Sequence, residues 1–142
     1  MKDLKNMKLM IDTNIVLDVL LKREPYFESS FKILELSERN DICEYISATS
    51  LTDIYYLANK QLHNKTLVLE LINNLLKIVH IAGVNEQEIR LALNLGWKDF
   101  EDAVQYSSAK SVEADCIITR NPNDYIDSQI TVYNPDQALN IL

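Results

Sequence analysis

Glycine and proline are scarce in this sequence: 2 Gly and 3 Pro among 142 residues. Average usage would give about ten glycines. A phosphate site built on a Gly-rich loop is therefore excluded. Few turns can depend on glycine, and helix is expected to be abundant. Cysteine is equally rare. Cys43 and Cys116 are isolated, so they form neither a disulfide framework nor a zinc cluster. Both fall in predicted strands and read as buried free thiols in a reducing compartment. His63 and His80 are far apart and show no ligand spacing. No apolar run approaches the ~18 residues of a membrane span. The stretch Met1-Lys2-Asp3-Leu4-Lys5-Asn6 lacks the apolar core of a signal peptide. A cytoplasmic protein without membrane contact is expected.

What is present is ordinary for a globular chain: 47% hydrophobic and 25% charged residues. The length fits one domain over residues 1–142. A chain of this size buries roughly 68–70% of its unfolded surface and needs no staples. The net charge is −7, which by itself opposes binding to a phosphate backbone. If five aspartates belong to one metal site, however, the remainder carries only −2. Bound divalent cations would then reverse the local sign.

The stretch Lys8-Leu9-Met10-Ile11-Asp12-Thr13-Asn14 reads as a buried strand running into a helix. In open α/β sheets, ligands sit outside the carboxyl ends of the strands, and Asp12 would stand there. It would equally serve as a helix cap. Helix one is predicted over Thr13 to Lys22, with Glu24-Pro25 ending it and Pro25 opening helix two. Helix two should run to about Arg39 on a stripe of Phe27, Phe31 and Leu34. A strand follows at Ile42 to Ser47. A third helix opens at Ser50. A fourth is capped by Asn64, with Leu67, Leu71, Leu75 and Leu76 on its apolar side. These two helices have no strand between them and could form an arm that stands beside the core or meets a second subunit. A strand at Ile78 to Ile81 leads to a fifth helix, capped by Asn85 and ended by Gly96. Helix six runs from Asp99 to about Val112. Strands at Asp115 to Thr119 and Gln129 to Tyr133 follow, and Pro135 starts a last helical turn or two. Strands alternating with helices predict a three-layer α/β/α sandwich around a mostly parallel sheet.

Four places put a polar or acidic residue at an element boundary: Asp12; Asp53; Asp99 with Asp102; and Asn121 with Asp124. Asp99 and Asp102 are three apart and share a helical face. Each has a purely structural reading. Ser50-Leu51-Thr52-Asp53 resembles a capping box with Asp for Glu. Asp99 is a good N-cap, and Glu101 and Asp102 suit the helix dipole. Asp124 would shape the turn Asn121-Pro122-Asn123-Asp124. Jointly, however, Asp12, Asp53 and Asp102 would point toward one rim. Such a cluster repels itself unless cations neutralise it, and carboxylate with water suits Mg²⁺ or Mn²⁺. Two such ions about 3.5–4 Å apart can activate a water and stabilise the leaving oxygen of a phosphodiester.

Four runs resemble the signatures of PIN domains. They are Ile11-Asp12-Thr13-Asn14, Ile46-Ser47-Ala48-Thr49-Ser50-Leu51-Thr52-Asp53, Asp99-Phe100-Glu101-Asp102-Ala103-Val104-Gln105 and Ile118-Thr119-Arg120-Asn121-Pro122-Asn123-Asp124-Tyr125. They occur in the family's order and cover nearly the whole chain. Leu17-Asp18-Val19-Leu20-Leu21-Lys22-Arg23-Glu24 also resembles the family's first helix. The resemblance implies a metal-dependent ribonuclease with its acidic site at the strand C-termini. Many bacterial members are toxins of the VapC type, restrained by an antitoxin, and homodimers are common. By motif, Asp12 would be the first metal ligand and Asp53 would stand where Glu is usual. Asp102 would be the third ligand with Asp99 beside it. Asn121 stands where Asp is frequent, with Asp124 in a position to compensate. Thr13, Asn14 and Thr119 would orient a water, a phosphate oxygen or a ligand.

Arg23, Lys22, Lys98, Lys110 and Arg120 are candidates for RNA phosphate contacts against the alternative of solvated surface. Trp97 would stack on a base or pack in the core. Two other functions compete. A phosphoacceptor or phosphatase domain would want an acidic residue beside Asp12 or two positions on, where Asn14 stands. A PIN-fold RNA- or protein-binding module with little catalysis is favoured by Asn121 and the short Asp53.

Overall fold

The structure is a computed structural model and describes residues 6–142. Met1-Lys2-Asp3-Leu4-Lys5, part of the stretch read for a signal peptide, lies outside them. Five strands form one sheet: β1 (Met7–Ile11), β2 (Ile42–Ser47), β3 (His80–Ala82), β4 (Cys116–Ile118) and β5 (Thr131–Tyr133). Their order is β3-β2-β1-β4-β5, and every pairing is parallel. The sheet is thus wholly parallel among the described residues, more regular than the mostly parallel one expected.

Among the described residues seven helices flank it: α1 (Thr13–Leu20), α2 (Phe27–Glu35), α3 (Ala48–Leu62), α4 (Lys65–Leu75), α5 (Glu86–Leu95), α6 (Phe100–Ser111) and α7 (Pro135–Ile141). Strand side chains alternate between two cores, as the pleat requires. Leu9, Ile11, Ile42, Ile46, Cys116 and Ile118 pack with α1 to α4 and α7. Met10, Ala82 and Ile117 pack under Tyr106 and Ala109 of α6. Ala92 of α5 meets Ala103 and Val104 of α6. Both faces are covered, which is why the strands read as continuous apolar runs. Among the described residues no helix is long and apolar enough to cross a membrane.

Several caps are the expected ones. Asn64 Oδ1 accepts from Leu67 N at 3.0 Å. Asn85 and Glu88 form a capping box. Gly96 ends α5 at φ 66°, a conformation few other residues adopt without strain.

Four helix readings need correction. In α2 the buried residues are Ser30, Ile33 and Leu34, while Phe31 is 42% exposed. Ser30 turns inward because its hydroxyl donates to a buried carboxylate, Asp18 Oδ2, at 3.1 Å. In α4 the buried stripe is Val68, Ile72 and Leu75, with Leu67 turned out. Both α3 and α4 lie on the core, since Ile54, Ala58, Val68, Ile72 and Leu75 join it, so they are not a free arm. Finally, α3 begins two residues early because Ser47 Oγ accepts from Ser50 N at 3.1 Å. Ser50 is therefore no cap, and Asp53 lies in the second turn.

One core position stands apart. Glu44 on β2 faces the same core as Ile42 and Ile46 and is fully buried, with no hydrogen-bond partner for either carboxyl oxygen. Burial pushes its carboxyl up to about 9. It folds as the neutral acid.

Candidate metal-dependent active site

β1 lies between β2 and β4, so the chain's connections leave it in opposite directions. Such a switch point opens a crevice at the strand C-termini. A cavity of about 270 Å³ occupies it. Asp12 and the α1 residues Thr13 and Asn14 line it from the end of β1. The start of α3 supplies Thr49, Ser50 and Asp53, and α6 with its cap supplies Asp99, Glu101, Asp102 and Gln105. Asn121 and Asp124 close it from the segment after β4. In a chain of net charge −7, six carboxylates share this one cavity: Asp12, Asp53, Asp99, Glu101, Asp102 and Asp124.

Asp12 is both of the things its position suggested. It is the N-cap of α1, its Oδ1 accepting from Thr13 N at 2.8 Å. It is also held from two other elements. Thr119 Oγ1 donates to Oδ2 at 2.7 Å and Gln105 Nε2 donates to Oδ1 at 3.0 Å. Thr119 Oγ1 in turn accepts from Asn121 N at 3.1 Å, which fixes the turn after β4. A carboxylate fixed by three donors is oriented before any ligand arrives.

Behind it runs a polar chain. Thr13 Oγ1 donates to Ser50 Oγ at 2.8 Å, and Ser50 Oγ donates to Gln105 Oε1 at 2.9 Å. Gln105 Nε2 also reaches the Tyr125 hydroxyl. Tyr125 donates onward to Asp102 Oδ1 at 3.4 Å. Burial and the charges of Asp12 and Asp102 push the Tyr125 phenol up, so it remains a donor. Trp97 packs against Tyr106 and edge-on to Tyr125, with centroids 4.8 and 5.9 Å away. Its ring also lines a second cavity with Lys98, Asp99, Asp102, Asn123, Asp124, Ile126 and Asp127.

Asp99 caps α6, Oδ1 accepting from Asp102 N at 3.1 Å. Asp102 is pushed up to about 7, first by burial and then by Asp99, Asp12 and Asp124, against the hydrogen bond from Tyr125. Glu101 is raised by Asp53, then by burial and Asp99. These shifts register the repulsion of carboxylates crowded together.

Among the described residues, no three Asp, Glu, His or Cys side chains converge tightly enough to cage an ion unaided. The donor set nevertheless fits Mg²⁺ or Mn²⁺: oxygen ligands around an open cavity, carrying a repulsion that a divalent cation would relieve. Asp12, Asp53, Asp99, Asp102 and Asp124 all line that cavity, as do Thr13, Asn14 and Asn121. Glu101, Ser50, Gln105 and Tyr125 belong to the same constellation and were not singled out from the sequence. Gln105 lies three residues after Asp102, on the same face of α6, and that spacing was the available signal.

The basic candidates separate. Arg120 Nε lies 3.3 Å from Asp18 Oδ2, and Arg23 Nη1 lies 3.9 Å from Asp18 Oδ1. Both guanidiniums are therefore engaged by a fully buried carboxylate on α1. Lys98 lies at the acidic side beside Trp97. Lys110 is 5.8 Å from the Tyr106 ring centroid and 3.4 Å from Gln129 Oε1, away from the cavity.

A parallel α/β/α sheet with a carboxylate-lined crevice at its switch point defines the class. The chain belongs to the PIN domain family, whose model matches residues 8–123. No curated protein matches the sequence significantly. Solved structures share the fold at low identity. One is VapBC-1 from nontypeable Haemophilus influenzae, with TM-score 0.71 and 17% identity, covering 92% of this chain and 99% of that one. A toxin–antitoxin complex from Klebsiella pneumoniae gives 0.69 and 20%, covering 89% and 97%. Mycobacterium tuberculosis VapC20, a toxin that cleaves the sarcin–ricin loop, gives 0.62 and 13%, covering 77% and 86%.

Proposed function

We propose that this chain, as one domain, is a Mg²⁺- or Mn²⁺-dependent endoribonuclease that hydrolyses RNA phosphodiesters. The observation that carries the reading is the convergence of six carboxylates on one cavity at the sheet's switch point. Asp12, Asp53 and Asp102 are the principal ligands, with Asp99 and Asp124 completing the set. A divalent ion held there supplies an activated water and stabilises the leaving oxygen. Thr119 and Gln105 fix Asp12, and Tyr125 fixes Asp102, so the ligands are set before the ion binds. Thr13 and Asn14, at the start of α1, orient a phosphate oxygen or a water.

The family and the toxin–antitoxin neighbours support a cytoplasmic toxin of the VapC type, held by an antitoxin protein and active as a homodimer. Tyr56, Leu57, Leu67 and Leu69 on α3 and α4 are large and exposed, which suits a dimer face. The test is cleavage of an RNA panel in Mn²⁺ by wild type, Asp12→Asn and Asp102→Asn. Cleavage by wild type alone is expected, and equal activity in the variants would remove the site assignment. A second reading, an RNA- or protein-binding module with little catalysis, is favoured by the uncharged Asn121 in the cavity. RNA binding without cleavage at any metal concentration would select it.

A further inference from the structure

A further cavity, of about 390 Å³, shares no lining residue with the acidic one. It is lined by Pro25 and Tyr26 before α2, Ser29 and Ser30 on α2, Arg120, and Asn134, Pro135 and Asp136 at the start of α7. Arg120 follows Thr119, whose hydroxyl holds Asp12, and precedes Asn121, which lines the acidic cavity. Adjacent residues thus contribute to the two linings, Arg120 to the wall of this cavity and Asn121 to that of the acidic one.

The chemistry of this wall is specific. The Arg120 guanidinium stacks 3.9 Å from the Tyr26 ring centroid. Its Nε is buried without a hydrogen-bond partner of good geometry, although Asp18 Oδ2 is 3.3 Å away. Asp18 is fully buried and also faces Arg23. Two guanidiniums on one carboxylate leave one net positive charge in this cluster. Arg23 Nη1 in turn lies 3.5 Å from Asn14 Oδ1, and Asn14 lines the acidic cavity. Arg23 and Arg120 thus share Asp18, Arg23 beside Asn14 of the acidic cavity and Arg120 in the further cavity beside Tyr26. Tyr26 is 42% exposed. Asp136, the acidic member of the cavity, is taken up by Ser29 Oγ at 2.9 Å. The opposite flank of the acidic cavity carries Asp99, Asp102, Asp124 and Asp127 against Lys98 alone. A polyanion leaving the reacting centre meets repulsion on that flank and attraction on this one.

We infer that the Tyr26 cavity is a subsite for a flanking nucleotide of single-stranded RNA, one beyond the pair joined by the scissile bond. Its phosphate lies on Arg23 and Arg120, and its base lies against Tyr26. The inference rests on the ribonuclease reading for its position and for its cleavage test, but not for its binding test. Guanidinium stacked on an aromatic ring, beside a positive groove, is how single strands are held without sequence preference.

The experiment compares a dinucleotide, which has no flanking nucleotide, with a hexanucleotide RNA. In Mn²⁺, Tyr26→Ala should lower kcat/KM for the hexanucleotide about tenfold, the effect of one lost base stack, and leave the dinucleotide unchanged. Arg120→Lys keeps a cation beside Asp18 but loses the planar stack, and should act in the same direction. A loss equal for both substrates, or none for the hexanucleotide, overturns the subsite. Fluorescence anisotropy of the labelled hexanucleotide with Asp12→Asn chains reads the subsite without cleavage. Binding about tenfold weaker on adding Tyr26→Ala supports it, and unchanged binding overturns it. An acidic peptide that binds in a Tyr26-dependent way, while RNA does not, would assign the cavity to a protein partner and overturn it as well.

Discussion

Asp12 and Asp18 lie on the same short helix and its cap, and the molecule balances their charges differently. Asp18 is fully buried and meets Arg120, Arg23 and the Ser30 hydroxyl. Burial still raises its carboxyl above the ordinary aspartate range, with Arg120 as the strongest opposing influence. Its cations are built into the fold. Asp12 receives hydrogen bonds from Thr13, Thr119 and Gln105 but faces five further carboxylates across an open cavity, and among the described residues no guanidinium or ammonium lines it. Glu44 is a third case, kept neutral by its own proton. The lesson is positional. Where the sheet is closed, the fold supplies the counter-charge or the proton. Where it opens at the switch point, the fold supplies no counter-charge from its own side chains, and on that ground the rim is proposed as a metal site.

Four changes test this contrast, the largest effect first. Asp12→Asn should reduce RNA cleavage by about 1,000-fold, the upper end of the effect of losing one charge-stabilising group. Circular dichroism should be unchanged; residual activity near wild type would contradict the assignment.

Glu44→Gln should stabilise the chain at pH 8 by about 4–5 kcal/mol, with the gain vanishing below about pH 4.5. The sign follows from a folded-state value of about 9 against an ordinary 4.5. The folded state holds the proton that the unfolded chain releases, so stability is full below about 4.5 and falls as pH rises toward 9. Urea denaturation at the two pH values reads it.

Arg120→Ala should destabilise by about 2–3 kcal/mol, because Asp18 is then left buried with the distant Arg23 contact. In the other direction, Asp102→Asn should stabilise the metal-free chain at pH 8. The raised Asp102 carboxyl, about 7, means that stability present below pH 4 is lost as pH rises through 7. After discounting for solvent screening, the gain is about 1 kcal/mol. Removing charge from the closed site and from the open one should therefore have opposite signs in denaturation. Equal signs would break the comparison.

Much of this was legible because it rests on local patterning. The strand preceding Asp12, the caps at Asn64, Asn85 and Asp99, and the stop at Gly96 depend on neighbours within four residues. What was not legible depends on tertiary partners. Phe31 was read as core and Ser30 was not, because the value of burying Ser30 lies in a hydrogen bond to a residue on another helix. The α4 stripe slipped by one position because leucine and valine are equally apolar and only packing chooses between them. Asp18, an acid in an apolar run, carried a signal that only its distant arginine explains. Tyr125 joins the candidate site through a contact 23 residues away in sequence, beyond any helical period, and Gln105, although spaced to share the Asp102 face of α6, meets Asp12 from 93 residues away.

The central claim is that the acidic cavity is neutralised by a divalent cation. Calorimetric titration of Mn²⁺ into wild type and Asp12→Asn, each at pH 6 and pH 8, tests it directly. The expected result is binding by wild type that weakens about tenfold or more toward pH 6 as Asp102 takes up its proton, and binding lost in Asp12→Asn. Equal binding in both proteins, or none in wild type at pH 8, would contradict the account.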